Sequence, residues 1–328
     1  MGIRIKGTGR YIPEKILNNA DLEKMVDTSD EWIITRTGMK ERHIAEKNET
    51  TSDMAAKAAL NALDNAGITP DMIDLIIVST VTPDHFFPCT AALVQQKIGA
   101  AKCPCFDQEA ACSGFLYALN TAYGMMASPL GYKRVLVIGA EKMTSLVDWT
   151  DRSTCVLFGD AAAAVVLEND GDPDTPDFYV AGEVGADGSC ADILQVPGGG
   201  SAAPPTHETV DAKMHYLKMG GPKTFYLAVN AMTNACKAVL EKSGTSIDDI
   251  SVAIPHQANK RIIDLVASKL NVPEKVYLNV DRYGNTSSAS IAICIDELNR
   301  SGKLKRGDLI LTASFGSGLT WASLLIRW

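Results

Sequence analysis

Apolar and polar positions along the chain follow two rhythms that take turns. Residues 51–66 carry Ala56, Ala59, Leu60 and Leu63 at helical spacing, with Thr51 or Ser52 placed to cap the start and Gly67 and Pro70 to stop it. Leu75-Ile76-Ile77-Val78 follows as a short unbroken apolar run, the pattern of a strand buried on both faces. The scheme recurs at 222–243. There Phe225, Ala228, Val229, Met232, Cys236, Val239 and Leu240 keep helical spacing, Gly244 ends the helix and Val252-Ala253-Ile254 forms the next strand. The two units superimpose without a gap: Gly67 falls on Gly244, Asp71 on Asp248, Ile73 on Ile250 and Ile77 on Ile254, a constant offset of 177. Val135 to Ile138 matches Leu309 to Thr312 at an offset of 174. Two matching units in the same order point to an internal duplication. The acidic, proline-containing stretch Glu168 to Pro173 marks the boundary, giving halves at 1–172 and 173–328. Successive helix–strand units predict parallel strands with helices on both faces, and ligands gathered at the carboxyl ends of the strands.

Composition narrows the function. A length of 328 residues, at ~150 per domain, allows about two domains. With 46% hydrophobic and 21% charged residues the chain is neither disordered nor fibrous. The longest purely apolar run, Ala161 to Leu167, is far short of the ~20 residues that span a bilayer, so no membrane helix is expected. The first residues lack the apolar stretch of a secretory signal, so a reducing, cytoplasmic setting with free thiols is the expectation. A net charge of −8 argues against a nucleic-acid partner. Among eight cysteines there is no Cys-x-x-Cys pair, and the five histidines supply no closely spaced pair, so no metal site is expected. Cys103 and Cys105 would share one face of a strand as small buried residues, and seven of the eight cysteines read as core filler.

The eighth is Cys112. It sits between the apolar strand ending near Phe106 and a helical pattern carrying Phe115, Leu116, Leu119 and Ala122. A thiol at a helix N-terminus is expected to have a lowered pKa and to act as a nucleophile; a buried structural cysteine is the alternative. His256 directly follows a strand, and Pro255 before it ends the ladder. Asn285 lies in Tyr283-Gly284-Asn285-Thr286-Ser287, after an expected strand Val276 to Val280 and before the helical run Ile291 to Leu298. Locally it reads as a helix cap or as an amide donor. Ser314-Phe315-Gly316-Ser317-Gly318 follows the strand Leu309 to Ala313; its glycines suit either a flexible turn or a backbone approach to a substrate oxygen. All four segments end at equivalent places in a duplicated fold, and that convergence favours chemistry.

At these residues the chain resembles β-ketoacyl-acyl carrier protein synthase III of the thiolase superfamily. Gly7 to Pro13, Thr28 to Gly38, Gly159 to Ala163 and Pro197 to Ser201 look like further family segments, so the resemblance covers nearly the whole chain. It implies a five-layered αβαβα fold and a two-stage reaction. Cys112 would take an acyl group from a short, acetyl-CoA-like thioester. His256 and Asn285 would then stabilise the enolate formed as malonyl-acyl carrier protein loses CO₂, for attack on the acyl-cysteine. The N–H groups of Cys112 and Gly316 would form the oxyanion hole. Thr28, Trp32, Arg36 and Arg152 would bind the nucleotide of coenzyme A, and Gly220 and Asn259 would line the pantetheine tunnel. Phe87 would reach into a partner's acyl pocket, implying a homodimer. Lys223, Lys260, Arg261 and Lys269 would dock an acidic carrier protein. No cofactor is implied, coenzyme A thioester being a substrate.

The chain also departs from the family. Gly221-Pro222-Lys223-Thr224-Phe225-Tyr226 replaces a segment that often reads Gly-Asn-Glu-Val-Phe-Lys, removing an amide donor and a basic residue. Glu109 is unusual so near the cysteine and is expected to point away. An acyltransferase of a specialised pathway is the second reading. A non-catalytic dimeric binding module is the third, disfavoured because all three reactive positions are intact.

Overall fold

The computed structural model describes residues 1–100 and 102–328. The strands that build the layers are β1 (Ile3–Tyr11), β2 (Leu75–Ser79), β3 (Cys105–Gln108), β4 (Arg134–Lys142), β5 (Asp160–Asn169), β6 (Tyr179–Ala186), β7 (Val252–Pro255), β8 (Leu309–Gly316) and β9 (Thr320–Arg327). The helices packed on them are α1 (Asp30–Thr37), α2 (Thr51–Ala66), α3 (Thr90–Ile98), α4 (Gly114–Ala127), α5 (Gly221–Ser243), α6 (Lys260–Leu270) and α7 (Ala289–Arg300).

One sheet runs β1–β5–β4–β2–β3 and the other β7–β8–β9–β6. Both are mixed rather than wholly parallel. β2 pairs parallel with β3 and β4, and β7 parallel with β8. The pairs β4–β5, β1–β5, β8–β9 and β9–β6 are antiparallel. The cause lies in the connections: β8 turns into β9 over three residues, and β4 reaches β5 with no crossover helix, so neither following strand can run parallel.

The unbroken apolar runs are explained by burial on both faces. Ile76, Val78, Leu136 and Ile138 pack outward against α2 and α3. Leu75, Ile77, Val135 and Val137 pack inward on a central layer made of α4 and α7. The other side of that layer meets Ile310, Leu324 and Ile326 of the second sheet, whose outer face carries α5 and α6. The result is five layers, αβαβα. The repeat is visible in detail: left-handed Gly67 and Gly244 cap α2 and α5, and 3₁₀ turns follow at Pro70–Met72 and Ile247–Asp249.

Three local expectations need correction. The cap of α2 is Thr50, in a reciprocal capping box with Asp53, because Thr51 and Ser52 already lie inside the helix. Leu60 is 44% exposed; the packed face is Ala55, Ala58, Ala59 and Ala62. The segment 276–280 is no strand. It makes one bridge, Val276 to Ala253, and then Gln257 takes over its backbone groups. Gln257 Oε1 accepts from the N–H groups of Asn279 (2.9 Å) and Val280 (3.2 Å), and its Nε2 donates to the Tyr277 carbonyl (3.3 Å).

Candidate active site

The inner layer places Cys112 in the lining of a cavity of about 1020 Å³. A 3₁₀ turn, Ala111–Ser113, leads into α4. Ala111 has φ of 46°, a conformation that L-residues seldom adopt, and this bends the chain so that Cys112 faces the cavity. The turn is held at both sides: Glu109 Oε1 accepts the Ala111 N–H at 2.8 Å, and Thr320 Oγ1 donates to the Ala110 carbonyl at 3.0 Å. Gly316, at the end of β8, lies so close that a Cβ there would stand 2.7 Å from the Cys112 nitrogen.

Glu109 does not point away as expected. It lines the cavity and, behind burial and the buried Glu141, pushes the thiol up. The thiol is itself a correction. Burial outweighs the helix terminus and raises the Cys112 pKa to about 12, opposed by a hydrogen bond from Ser287. Of the seven cysteines read as core, Cys155, Cys236 and Cys294 are buried, while Cys89, Cys103, Cys105 and Cys190 are only partly so.

His256 and Asn285 reach the same cavity from the second half. His256 is 2% exposed, and burial lowers its pKa to about 4, so the ring is neutral at pH 7. Its Nδ1 lies 2.7 Å from Ser290 Oγ at the start of α7. With the serine proton directed to Nδ1, the imidazole proton sits on Nε2, the nitrogen left for the cavity. Asn285 is fixed through its backbone, donating to Leu157 (2.8 Å) and accepting from Gly159 (3.1 Å). Its Oδ1 accepts the Ser287 N–H at 2.9 Å, which turns the Nδ2 amide the other way as a donor. The loop carrying Asn285 is anchored below by Glu297, which accepts from Arg282 at 2.7 and 3.0 Å, Asn279 at 2.8 Å and Tyr283 at 2.9 Å.

Trp32, Arg36 and Asn259 also line the cavity, and Asn259 Nδ2 donates to the Arg36 carbonyl at 3.1 Å. Arg152 lies outside the lining but holds its guanidinium 5.5 Å over the Trp32 ring and bonds the Asp27 carbonyl at 2.7 Å. Thr28, half-buried before α1, and Gly220, which donates to the Ile193 carbonyl at 2.8 Å, also lie outside it. Met219 and Gly221, on either side of Gly220, line the cavity. Phe87 is 86% exposed and so is no core residue; its neighbour Phe86 lines the cavity. Lys223, Lys260, Arg261 and Lys269 are exposed on the adjoining helices α5 and α6. Lys260 is paired with Asp264 at 2.7 Å, so its charge is already partly answered. Among the described residues no cluster of histidine, cysteine and acidic side chains could hold a metal ion, and no helix is long and apolar enough to cross a membrane.

The sequence reading missed Glu141, Ser290, Gln257 and Glu297 as parts of the site. One signal was present: Glu141 is a lone acid at the end of an apolar strand run.

A duplicated five-layered fold that brings a cysteine, a histidine and an asparagine to one cavity defines a condensing acyltransferase of the thiolase-like class. Comparison with known proteins gives the family. A model of the 3-oxoacyl-[acyl-carrier-protein (ACP)] synthase III C-terminal region matches residues 240–328, and a 3-oxoacyl-[acyl-carrier-protein (ACP)] synthase III model matches residues 106–188. A β-ketoacyl-[acyl-carrier-protein] synthase III of Caldanaerobacter subterraneus subsp. tengcongensis is 50% identical over 325 residues, 99% of this chain and 97% of that protein. The crystal structure of 3-oxoacyl-[acyl-carrier-protein] synthase III from Aquifex aeolicus matches with a TM-score of 0.92 at 48% identity, covering 100% of both chains. The priming β-ketosynthase of the R1128 polyketide biosynthetic pathway matches with a TM-score of 0.90 at 36% identity, covering 99% of this chain and 96% of that one. The chain belongs to the β-ketoacyl-acyl carrier protein synthase III family.

Proposed function

We propose that the chain starts fatty-acid synthesis by decarboxylative Claisen condensation, and that Cys112, His256 and Asn285 carry it. The observation that supports this most is their convergence on one cavity from separate halves of the fold. Cys112 attacks a short acyl-CoA thioester, and the coenzyme A thiolate leaves. The backbone N–H groups of Cys112 and Gly316 stabilise the tetrahedral oxyanion. Malonyl-acyl carrier protein then enters. Its carboxylate departs as CO₂, and the electron pair passes into an enolate whose oxygen accepts hydrogen bonds from His256 Nε2 and Asn285 Nδ2. A neutral imidazole suits this role, since it donates a proton bond without surrendering the proton. The enolate carbon attacks the acyl-cysteine, and the β-ketoacyl product leaves Cys112 as thiolate.

Coenzyme A is a substrate in this scheme, and no metal or cofactor is required. Trp32, with Arg152 stacked on it, and Arg36 receive the nucleotide, with Thr28 beside them. Asn259 and the Gly220 turn guide the pantetheine arm. Lys223, Arg261 and Lys269, with Lys260 half answered, offer the acidic carrier protein a local positive face despite the net charge of −8. The exposed pair Phe86 and Phe87 supports a homodimer in which Phe87 enters the partner's pocket. We also divide the chain into halves at 172/173, each with its own sheet, and assign it to the cytoplasm. Adding malonyl-acyl carrier protein to the acylated enzyme should give CO₂ and β-ketoacyl-carrier protein in equal amounts. Acyl transfer to other acceptors without CO₂ would refute it. The likeness to a polyketide-priming synthase favours, as a second reading, the same condensation serving a specialised pathway.

A further inference from the structure

The two halves of the fold meet at one carboxylate. Glu141, the penultimate residue of β4, has no exposed surface. Its Oε1 accepts from Ser288 Oγ (2.7 Å) and Ser287 Oγ (3.1 Å), in the loop that carries Asn285. Its Oε2 accepts from the Val81 N–H (3.0 Å), Thr82 Oγ1 (3.0 Å) and Thr80 Oγ1 (3.3 Å), in the segment leaving β2. Thr80 and Val81 line the cavity, as Asn285 and Ser287 do. All five donors are neutral. Lys142, next along β4, turns its ammonium away to the Glu46 and Glu49 carbonyls. Glu297 shows the contrasting case: Arg282 grips both its oxygens, and its pKa is lowered. Without such a cation, burial raises Glu141 to about 7. A buried carboxylate lacking a counter-ion costs stability, so an anchor kept for stability alone would be better neutral.

What the carboxylate holds is the group that orients Asn285. The Ser287 N–H donates to Asn285 Oδ1 at 2.9 Å, and this decides that the amide nitrogen is the end left for the enolate. Ser287 has φ of 49°, a conformation that persists only where its surroundings impose it. The fit against β4 is close: at Gly139, a Cβ would stand 2.7 Å from the Ser288 carbonyl. We infer that Glu141 is a positioning residue for Asn285, setting the direction of its amide by clamping Ser287 and Ser288 to the Thr80–Thr82 segment; this rests on Asn285 serving decarboxylation. A carboxylate suits the task because it only accepts, with room for every donor around it. A glutamine would not. The Val81 N–H cannot turn, so it would claim the one carbonyl oxygen and leave the NH₂ facing the two serines. Ser288 could then turn its hydroxyl to the Ser79 carbonyl, 3.1 Å away. The Asn285 backbone would keep its bonds to Leu157 and Gly159, so losing the clamp turns the amide without unfolding the loop.

The experiment measures both half-reactions at pH 8, above the Glu141 pKa of about 7. Coenzyme A release from acetyl-CoA reads acylation. Carbon dioxide release from malonyl-acyl carrier protein by pre-acylated enzyme reads decarboxylation. Asn285→Ala, which removes a whole donor, should slow CO₂ release about 100-fold or more. Glu141→Gln and Ser288→Ala, which only misdirect that donor, should each slow it roughly tenfold. Acylation should stay within about twofold of wild type in Ser288→Ala. It should not slow in Glu141→Gln, where a negative charge that opposes the thiolate is gone. Combined with Asn285→Ala, either change should add less than about a further twofold, because the group it orients is absent. Full multiplication of the two defects would show a general structural role and overturn the assignment. So would equal slowing of both half-reactions, or CO₂ release within about twofold of wild type in the folded single variants. Wild-type CO₂ release by Asn285→Ala would instead remove Asn285 from the chemistry, and the role of Glu141 with it.

Discussion

Ser290→Ala separates the two halves of the proposed reaction with the loss of a single oxygen atom. Ser290 is 2% exposed and, among the described residues, its hydroxyl bonds only His256 Nδ1, at 2.7 Å. Removing it leaves a buried ring nitrogen without a partner, a cost of about 1–3 kcal/mol. The ring can relieve that cost by moving its proton to Nδ1 or by rotating, and either change takes the donor away from the enolate oxygen. The whole penalty therefore falls on decarboxylation. At about 1.4 kcal/mol per decade, condensation should slow by roughly 5- to 100-fold. Acylation does not use His256, so it should stay within about twofold of wild type. The assay measures CO₂ release from malonyl-acyl carrier protein by pre-acylated enzyme, beside coenzyme A release in the first half-reaction. Equal slowing of both halves would show that Ser290 supports the whole site and not the tautomer. Unchanged CO₂ release would refute the tautomer argument.

Gly316→Ala should suppress acylation by about 100-fold or more, because its Cβ would stand 2.7 Å from the Cys112 nitrogen and disturb the backbone donor there; near-normal burst kinetics would contradict this. Trp32→Ala should raise KM for acyl-CoA at least roughly fivefold, from stacking worth about 1 kcal/mol, with little change in KM for malonyl-acyl carrier protein. Glu297→Ala should cost about 2–3 kcal/mol in denaturant unfolding, after screening of the half-exposed Arg282, since Asn279 and Tyr283 also lose their acceptor; a loss below about 0.5 would be inconsistent. His256 also sets a pH dependence. Its folded pKa of about 4 lies below the ordinary value, so the unfolded chain binds the extra proton first. Its stabilising share is fully present above pH 6.5 and shrinks as pH falls toward 4, by up to about 3 kcal/mol, and His256→Gln should flatten that part of the stability profile.

What was readable in the sequence was what local pattern decides. Apolar runs such as 75–78 and 135–138 declared strands buried on both faces, and Gly67 and Gly244 marked equivalent helix ends. Cys112, His256 and Asn285 stood out because each sits where a strand or turn hands over to a helix. Strand direction was not readable, since it depends on whether a connection can carry a crossover helix. The run Val276-Tyr277-Leu278-Asn279-Val280 has the residue types of a strand, yet the Gln257 side chain satisfies its backbone instead. The thiol pKa was misjudged because a helix terminus is a local feature while burial is a property of the whole fold. Glu141 was missed for the same reason: its partners Ser287 and Ser288 lie 146 and 147 residues away.

Whether Cys112 holds the acyl group is tested most directly by peptide mapping after incubation with acyl-CoA thioesters of increasing size. One acyl group per chain is expected, on the peptide carrying Cys112, discharged on adding malonyl-acyl carrier protein and absent from Cys112→Ser. An acyl group on any other residue, or none with any thioester, would contradict it.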